Sequence, residues 1–132
     1  MKMAVASTGE NLGAQVSPVF GRCSYFVFVN VEDGKIKDSK PLENPAISQS
    51  GGAGIKAAEI IANEKADVVI SGAVGPNAFD LLKQFGIKVY KIVAGSVEHN
   101  VEYFLEGKLE EIQGPEAMKP GSGMGRGMGQ RR

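Results

Sequence analysis

The amino-acid sequence predicts a single-domain α/β protein with a mixed five-stranded sheet, in the order β-β-β-α-β-α-β-α along its 132 residues. Three observations support this fold class. Two strand-like segments are joined by the turn signal Asp33-Gly34, three later segments have the apolar spacing of helices, and short apolar strands separate those helices. An antiparallel hairpin followed by parallel units is typical of a mixed sheet covered by helices.

The five predicted strands take their order in the sheet from the connections between them. The apolar segment 2–8 predicts a buried first strand, and the segments 23–31 and 35–40 predict a hairpin closed by Asp-Gly. The fourth and fifth strands are predicted at 67–71 and 88–92. Right-handed crossovers then place the first strand in the middle, with the hairpin on one side and the fourth and fifth strands on the other.

Three helices are predicted from apolar residues at helical spacing. The first covers about 53–64, the second begins at Pro76, which suits the first helical position, and the third follows the N-cap residue Ser96. The positions expected to face the core are, helix by helix, Ala57, Ala58, Ile60 and Ile61; Ala78, Leu81, Leu82 and Phe85; and Val97, Val101, Phe104 and Leu105.

Composition changes near residue 113, which divides the chain into a folded domain, 1–112, and a tail, 113–132. The tail is rich in glycine, with four basic residues against one acidic, and has no apolar period, so it is predicted to be disordered.

Over the whole chain, 15 basic residues balance 15 acidic ones, which argues against a nucleic-acid partner. We expect a cytoplasmic protein, because no signal peptide or membrane-spanning run is present and the single Cys23 fits a reducing compartment. We also expect a monomer or weak dimer.

Four loop segments meet at the carboxyl edge of the predicted sheet, which is a topological switch point where open α/β sheets bind ligands. They cover 7–22, 48–54, 71–78 and 93–99, are rich in Gly, Ser and Asn, and in three cases lead into a helix N-terminus. Backbone N–H groups at such ends favour anions. The candidate binding residues are Ser7, Thr8, Gly9, Arg22, Gly51, Gly52, Gly72, Gly75 and Asn77.

Cys23 and His99 are the candidate metal ligands, and each has a plainer interpretation. Cys23 is either a small buried apolar residue or a thiolate whose pKa is lowered by Arg22 and nearby helix N-termini. His99, in the first turn of the third helix, is either an exposed surface histidine or a ligand of a soft metal. One Cys and one His are too few for an ordinary iron–sulfur cluster or a closed zinc site, so a metal would arrive in a preassembled cofactor.

The usual nucleotide and catalytic motifs are incomplete. The segment 52–57 fits G-x-G-x-x-A, but a polar loop precedes it and the following strand ends in Ser71 rather than in an acidic residue. No carboxylate pair lies on the central strand, and Ser7 and Ser71 lack a nucleophile elbow. The sequence therefore predicts a binding protein and not an enzyme.

Four segments together resemble the dinitrogenase iron–molybdenum cofactor biosynthesis family. They are VSPVFGRCSYFVFV (16–29), GAGIKAAEIIA (52–62), DVVISGAVGPNAFDLLKQFGIKVY (67–90) and VEYFLEGKL (101–109). The resemblance implies a ribonuclease H-like fold and non-covalent binding of an anionic metal–sulfur cluster, of the iron–molybdenum or molybdenum–copper type. It also implies proteins that assemble or handle clusters as partners, whereas nitrogen fixation itself is not implied.

Three functions follow from these residues and this resemblance. The first is a carrier for a preassembled anionic metal–sulfur cluster, held at the carboxyl edge of the sheet. The second is a small regulatory or adaptor domain that binds a protein partner, such as a cluster-handling ATPase. The third is a phosphate- or nucleotide-binding sensor that uses the same anion-favouring loops.

Overall fold

The computed structural model describes residues 1–48 and 51–113. The predicted tail therefore lies, apart from Gln113, outside the described residues. The elements in chain order are β1 (Lys2–Ser7), β2 (Tyr25–Glu32), β3 (Lys35–Glu43), α1 (Ala53–Asn63), β4 (Val68–Ser71), α2 (Pro76–Gln84), β5 (Lys88–Lys91), α3 (Val97–Leu105) and β6 (Glu111–Ile112), with a 3₁₀ turn at Pro45–Ser48 before α1.

The strands form one mixed sheet in the order β3-β2-β1-β4-β5-β6. β1 pairs antiparallel with β2 and parallel with β4, and β4 pairs parallel with β5. The predicted α/β fold and the position of β1 between the hairpin and the parallel strands are thus confirmed. The predicted number of strands was wrong, because β6 adds a sixth strand antiparallel to β5. Its two residues are too few to show a period-two apolar pattern in the sequence.

The hairpin turn has the backbone that its sequence predicts. Asp33 and Gly34 have φ values of 55° and 74°, both in the left-handed region. Two consecutive positive φ values define the type I′ turn, whose twist matches that of the flanking strands. β3 is the edge strand of the sheet and carries Pro41, a residue that an edge strand tolerates because its missing N–H costs no ladder bond there.

Alternation along β1 divides the core into two apolar clusters on opposite faces of the sheet. Ala4 and Ala6 belong to the cluster covered by α1 and α2, whereas Met3 and Val5 belong to the cluster covered by α3. In α2, the buried aromatic residue is Phe79, while Phe85, predicted to be inward, is 53% exposed. The helix ends at Gln84, so Phe85 is its C-cap and lies beyond the last turn. No helix among the described residues is long and apolar enough to cross a bilayer.

The start of α3 is fixed by two polar side chains. The Ser96 hydroxyl accepts a hydrogen bond from the His99 N–H at 3.1 Å, which confirms the predicted N-cap. The fully buried Asn100 donates to the carbonyl oxygens of Val93 and Ser96 and accepts from the Val93 N–H. These bonds hold the loop between β5 and α3 against the first turn of the helix.

Candidate anion-binding site

Three parallel strands end at one edge of the sheet, at Ser7, Ser71 and Lys91. The loop that follows β1 runs along this edge and makes isolated bridges from Val16 to Ser7, from Gln15 to Ser96 and from Val19 to Ala73. The same loop approaches α1, since a Cβ on Gly21 would lie 2.9 Å from the Gly54 nitrogen. The structure therefore brings the four predicted loop segments together.

A cavity of about 300 Å³ lies at this edge, between the N-termini of α1 and α2. Its walls are the loop segment 19–22, the start of α1 at 52–55, and Ala73 with 75–78 at the start of α2. The described loop at 93–99 does not line it. The cavity is thus shared by three of the four predicted segments.

Each of the two helices whose N-terminus lies at the cavity has a glycine as its N-cap residue. The N-cap residues are Gly52 in α1 and Gly75 in α2, and neither helix has a side-chain cap hydrogen bond from the described residues. Amides in the first turn of a helix have no acceptor within the helix. The cavity-lining residues in this position, each with a backbone amide, are Ala53, Gly54, Ile55, Asn77 and Ala78. Together with the positive ends of two helix dipoles, they favour an anion.

Glycines at the edge fall into two groups. A Cβ on Gly72 would lie 2.1 Å from the Pro18 carbonyl oxygen, so glycine is required there for the backbone to approach. A Cβ on Gly75 would meet no described atom within 4 Å, and its φ of −65° is open to any residue. Gly72 therefore has a structural explanation, whereas the packing of the described residues gives no reason for glycine at 75.

The structure places four of the predicted binding residues in the cavity wall: Arg22, Gly52, Gly75 and Asn77. Arg22 Nη1 donates to the Ile47 carbonyl oxygen at 3.0 Å, which holds the guanidinium beside the cavity. Gly51 is exposed and directly precedes the wall residue Gly52. These residues give one side of the cavity a positive charge and several N–H donors.

Ser7, Thr8 and Gly9 lie outside the cavity wall and instead close the loop after β1. The Ser7 hydroxyl donates to the Gly9 carbonyl oxygen at 2.8 Å and accepts from the Gly9 N–H at 3.1 Å. The Thr8 hydroxyl donates to the Gln15 carbonyl oxygen at 3.0 Å. Short side chains of this kind commonly bond to nearby backbone in turns, and the sequence pattern alone does not separate that role from ligand binding.

Cys23 is buried in the apolar cluster under α1 and α2, with 1% of its surface exposed. Its Sγ donates to the Phe20 carbonyl oxygen at 3.3 Å. Burial raises the pKa of this thiol to about 12, against smaller opposing effects of hydrogen bonds. The hypothesis that Arg22 lowers the pKa of Cys23 was wrong, because the effect of desolvation dominates. The structure favours the plainer interpretation, in which Cys23 is a buried apolar residue.

His99 does not meet Cys23. Its ring lies 4.5 Å from that of Tyr103, between ring centroids, on α3. Because α3 covers the face of the sheet opposite to the Cys23 cluster, the two side chains share an edge of the sheet but not a face. Within residues 1–48 and 51–113, no group of three or more His, Cys, Asp and Glu side chains is arranged to hold a metal ion.

Two residues at this edge have structural features that the sequence analysis did not identify. Asn44 is buried and donates to the carbonyl oxygens of Gly21 at 3.3 Å and Cys23 at 2.9 Å, which fixes the loop that forms one cavity wall. Ser71 is fully buried, and its hydroxyl has no hydrogen-bond partner among the described residues. An Asn after a strand and a Ser at the end of one are common in sequences, so neither carried a distinguishing signal.

Comparisons with known proteins place the chain in a family. Residues 1–107 match the family model described as dinitrogenase iron-molybdenum cofactor. An uncharacterized protein of Methanocaldococcus jannaschii is 40% identical over 113 residues, which cover 86% of this chain and 92% of that protein.

Several solved structures share the fold. The apo form of the orange protein from Desulfovibrio gigas is 35% identical with a TM-score of 0.81, covering 86% of this chain and 94% of that chain. A putative NifB protein from Thermotoga is 34% identical with a TM-score of 0.72, covering 83% of this chain and 91% of that chain. By the extent of the family match, the chain belongs to the dinitrogenase iron-molybdenum cofactor family.

Proposed function

We propose that this protein binds and carries a preassembled anionic metal–sulfur cluster in the cavity between the N-termini of α1 and α2. The observation that carries the proposal is the convergence of two helix N-termini, each begun by a glycine, on one cavity of about 300 Å³. Membership of the dinitrogenase iron-molybdenum cofactor family supports a cluster as the anion.

The chemistry of the cavity wall suits a cluster whose metals already have their ligands. Among the described residues, the wall contains no Cys, His, Asp or Glu, the side chains that usually ligate metals. It offers backbone N–H groups and the Arg22 guanidinium, which donate hydrogen bonds to sulfide or oxide ligands on the outside of a cluster. The candidate cluster-binding residues are therefore Arg22, Gly51, Gly52, Gly75 and Asn77, with Cys23 and His99 outside the proposed site.

The expected affinity suits a carrier that must release its cargo. An anion at a partly buried helix N-terminus gains up to about 2 kcal/mol, and a hydrogen bond to a charged group about 1.5–3 kcal/mol. Two such termini and one arginine give at most about 7 kcal/mol, which corresponds to a Kd of about 10 µM or weaker. Proteins that assemble or handle clusters are the proposed donors and acceptors, in the reducing cytoplasm.

Binding of tetrathiomolybdate, a sulfide-terminated anion, tests the proposal directly. We expect equilibrium dialysis without oxygen to show more visible absorbance of this anion on the protein side of the membrane, with a Kd of about 10 µM or weaker. Inorganic phosphate serves as the competitor. If phosphate displaces tetrathiomolybdate at equal or lower concentration, the site is a phosphate sensor and the cluster proposal is wrong.

Two variants of Gly75 locate the site. Asp and Asn both cap helix N-termini and have nearly the same shape, but only Asp adds a negative charge. We expect Gly75→Asp to weaken tetrathiomolybdate binding at least tenfold and clearly more than Gly75→Asn, while the melting temperature of both variants stays at or above that of the parent. Unchanged binding by Gly75→Asp would place the anion elsewhere.

A further inference from the structure

The buried side chain of Asn44 joins two segments of the chain at the cavity. Asn44 directly follows β3 and is 1% exposed. Its Nδ2 donates to the carbonyl oxygens of Gly21 at 3.3 Å and Cys23 at 2.9 Å, and its Oδ1 accepts from the Ala46 N–H at 3.0 Å. One amide therefore ties the loop after β1 to the 3₁₀ turn at Pro45–Ser48.

Arg22 lies between the two carbonyl groups that Asn44 holds. The chain neighbours of Arg22 are Gly21 and Cys23, so the Asn44 amide fixes the backbone on both sides of it. The Arg22 guanidinium donates to the Ile47 carbonyl oxygen in the 3₁₀ turn, and the Ile47 N–H donates to the Asn44 carbonyl oxygen at 3.3 Å. Asn44 thus holds Arg22 directly at its backbone, and at its guanidinium through the turn.

The position of the guanidinium before binding matters for the affinity of an anion. An arginine side chain has many rotamers, and ordering them when the ligand arrives costs binding free energy. The described residues that line the cavity include Arg22 but not Asn44. An effect of Asn44 on a bound anion therefore passes through the residues that Asn44 holds.

We propose that Asn44 is a positioning residue of the cluster site, which sets the Arg22 guanidinium at the cavity before the anion binds. This inference rests on the proposed function. It gives Asn44 a share in the binding free energy without a contact to the anion, and it makes that share depend on the presence of the arginine.

A double-mutant cycle with Arg22 tests the inference, with tetrathiomolybdate binding measured by equilibrium dialysis without oxygen. We expect Arg22→Ala to raise the Kd at least about tenfold, because a hydrogen bond to a charged group is lost. Asn44→Ala should raise the Kd at least about threefold in the parent but less than about 1.5-fold in Arg22→Ala, because no guanidinium is left to position. An equal rise in both backgrounds would show that Asn44 acts through the general shape of the loop, and overturns the inference.

Asn100 provides a matched control. It is also a buried asparagine whose side chain bonds to the backbone of a loop at the same edge, between β5 and α3, but this described loop does not line the cavity. Asn100→Ala should lower the free energy of unfolding, as Asn44→Ala does, and should leave the Kd within about 1.5-fold of the parent. A rise in Kd equal to that of Asn44→Ala contradicts the role assigned to Asn44.

Asn44→Ser takes the place of Asn44→Ala in the cycle if the alanine variant does not fold. The serine hydroxyl can still accept from the Ala46 N–H, but it carries one donor proton where the amide carries two, so the same changes in Kd are expected. Full retention of binding by a folded Asn44 variant overturns the inference and leaves the proposed function standing. Absence of tetrathiomolybdate binding by the parent overturns both.

Discussion

The Cys23 thiol illustrates how strongly the fold changes a single residue. It lies in the apolar cluster under α1 and α2, and its Sγ donates to the Phe20 carbonyl oxygen. Desolvation raises its pKa from 9.0 to about 12. The folded protein therefore keeps this proton at a pH where the unfolded chain has lost it.

Stability should fall with rising pH because of Cys23. The contribution of the Cys23 thiol to the free energy of unfolding is fully present below about pH 9. This contribution is lost as the pH rises from about 9 to about 12, since only the unfolded state releases the proton in that range. At about pH 10.5 the loss amounts to about 2 kcal/mol relative to pH 8. Urea denaturation of the parent and of Cys23→Ala at both pH values measures it. An equal fall in both proteins would show that other groups cause it.

Gly72 and Gly75 provide a second residue-scale prediction. Gly72→Ala places a Cβ within 2.1 Å of the Pro18 carbonyl oxygen, whereas Gly75→Ala places it in open space. We expect Gly72→Ala to lower the free energy of unfolding by at least about 2 kcal/mol, and Gly75→Ala by less than about 1 kcal/mol, since Ala is only a poorer N-cap than Gly there. Chemical denaturation of the two variants compares them, and equal losses would contradict the assignment of Gly75 as a residue free of packing constraints.

At the scale of elements, α2 combines a short apolar face with a start that has no side-chain cap among the described residues. Ala78, Phe79 and Leu82 are buried against the sheet, and the first helical residue is Pro76. The N-terminus of the helix lines the cavity, and its C-terminus lies toward the opposite edge of the sheet. The same helix thus anchors the core and supplies N–H donors to the proposed site.

The burial of Phe79 rather than Phe85 can be measured. Phe79→Ala should lower the free energy of unfolding by about 3–5 kcal/mol, because the side chain is 5% exposed and its loss leaves a cavity. Phe85→Ala should cost less than about 1 kcal/mol, because this side chain is 53% exposed. Equal costs in urea denaturation would mean that Phe85 packs on the core as the spacing predicted.

At the scale of the whole molecule, the last described strand closes the domain. Ile112 is 3% exposed and pairs with Val89 of β5 in the apolar cluster that α1 and α2 cover. The core therefore extends to the end of the predicted folded domain, through a strand of only two residues.

Two truncations test this boundary. A chain ending at Gln113 keeps β6 and should melt within about 2 °C of the full chain, since the described core is complete. A chain ending at Leu109 removes β6 with Ile112 and should melt at least about 5 °C lower. Thermal unfolding monitored by circular dichroism compares the three chains. A large loss in the longer truncation would place stabilising contacts beyond Gln113.

The sequence by itself determined the fold class, the order of the first five strands, the Asp33-Gly34 turn and the Ser96 cap. These features depend on local patterns: alternation, helical spacing and the few residues that tolerate a given turn or cap. It also indicated which loops meet at the carboxyl edge, because topology follows from the order of the elements.

Only the tertiary structure decided which residues surround the cavity and which serve the loops. Ser7 and Gly72 proved to satisfy backbone contacts, and Cys23 and His99 lie on opposite faces of the sheet. Such distinctions depend on distances between segments far apart in the chain, and on burial, which sets the pKa of Cys23. Composition and spacing do not contain these quantities, because they arise only when the packed sheet brings the segments together.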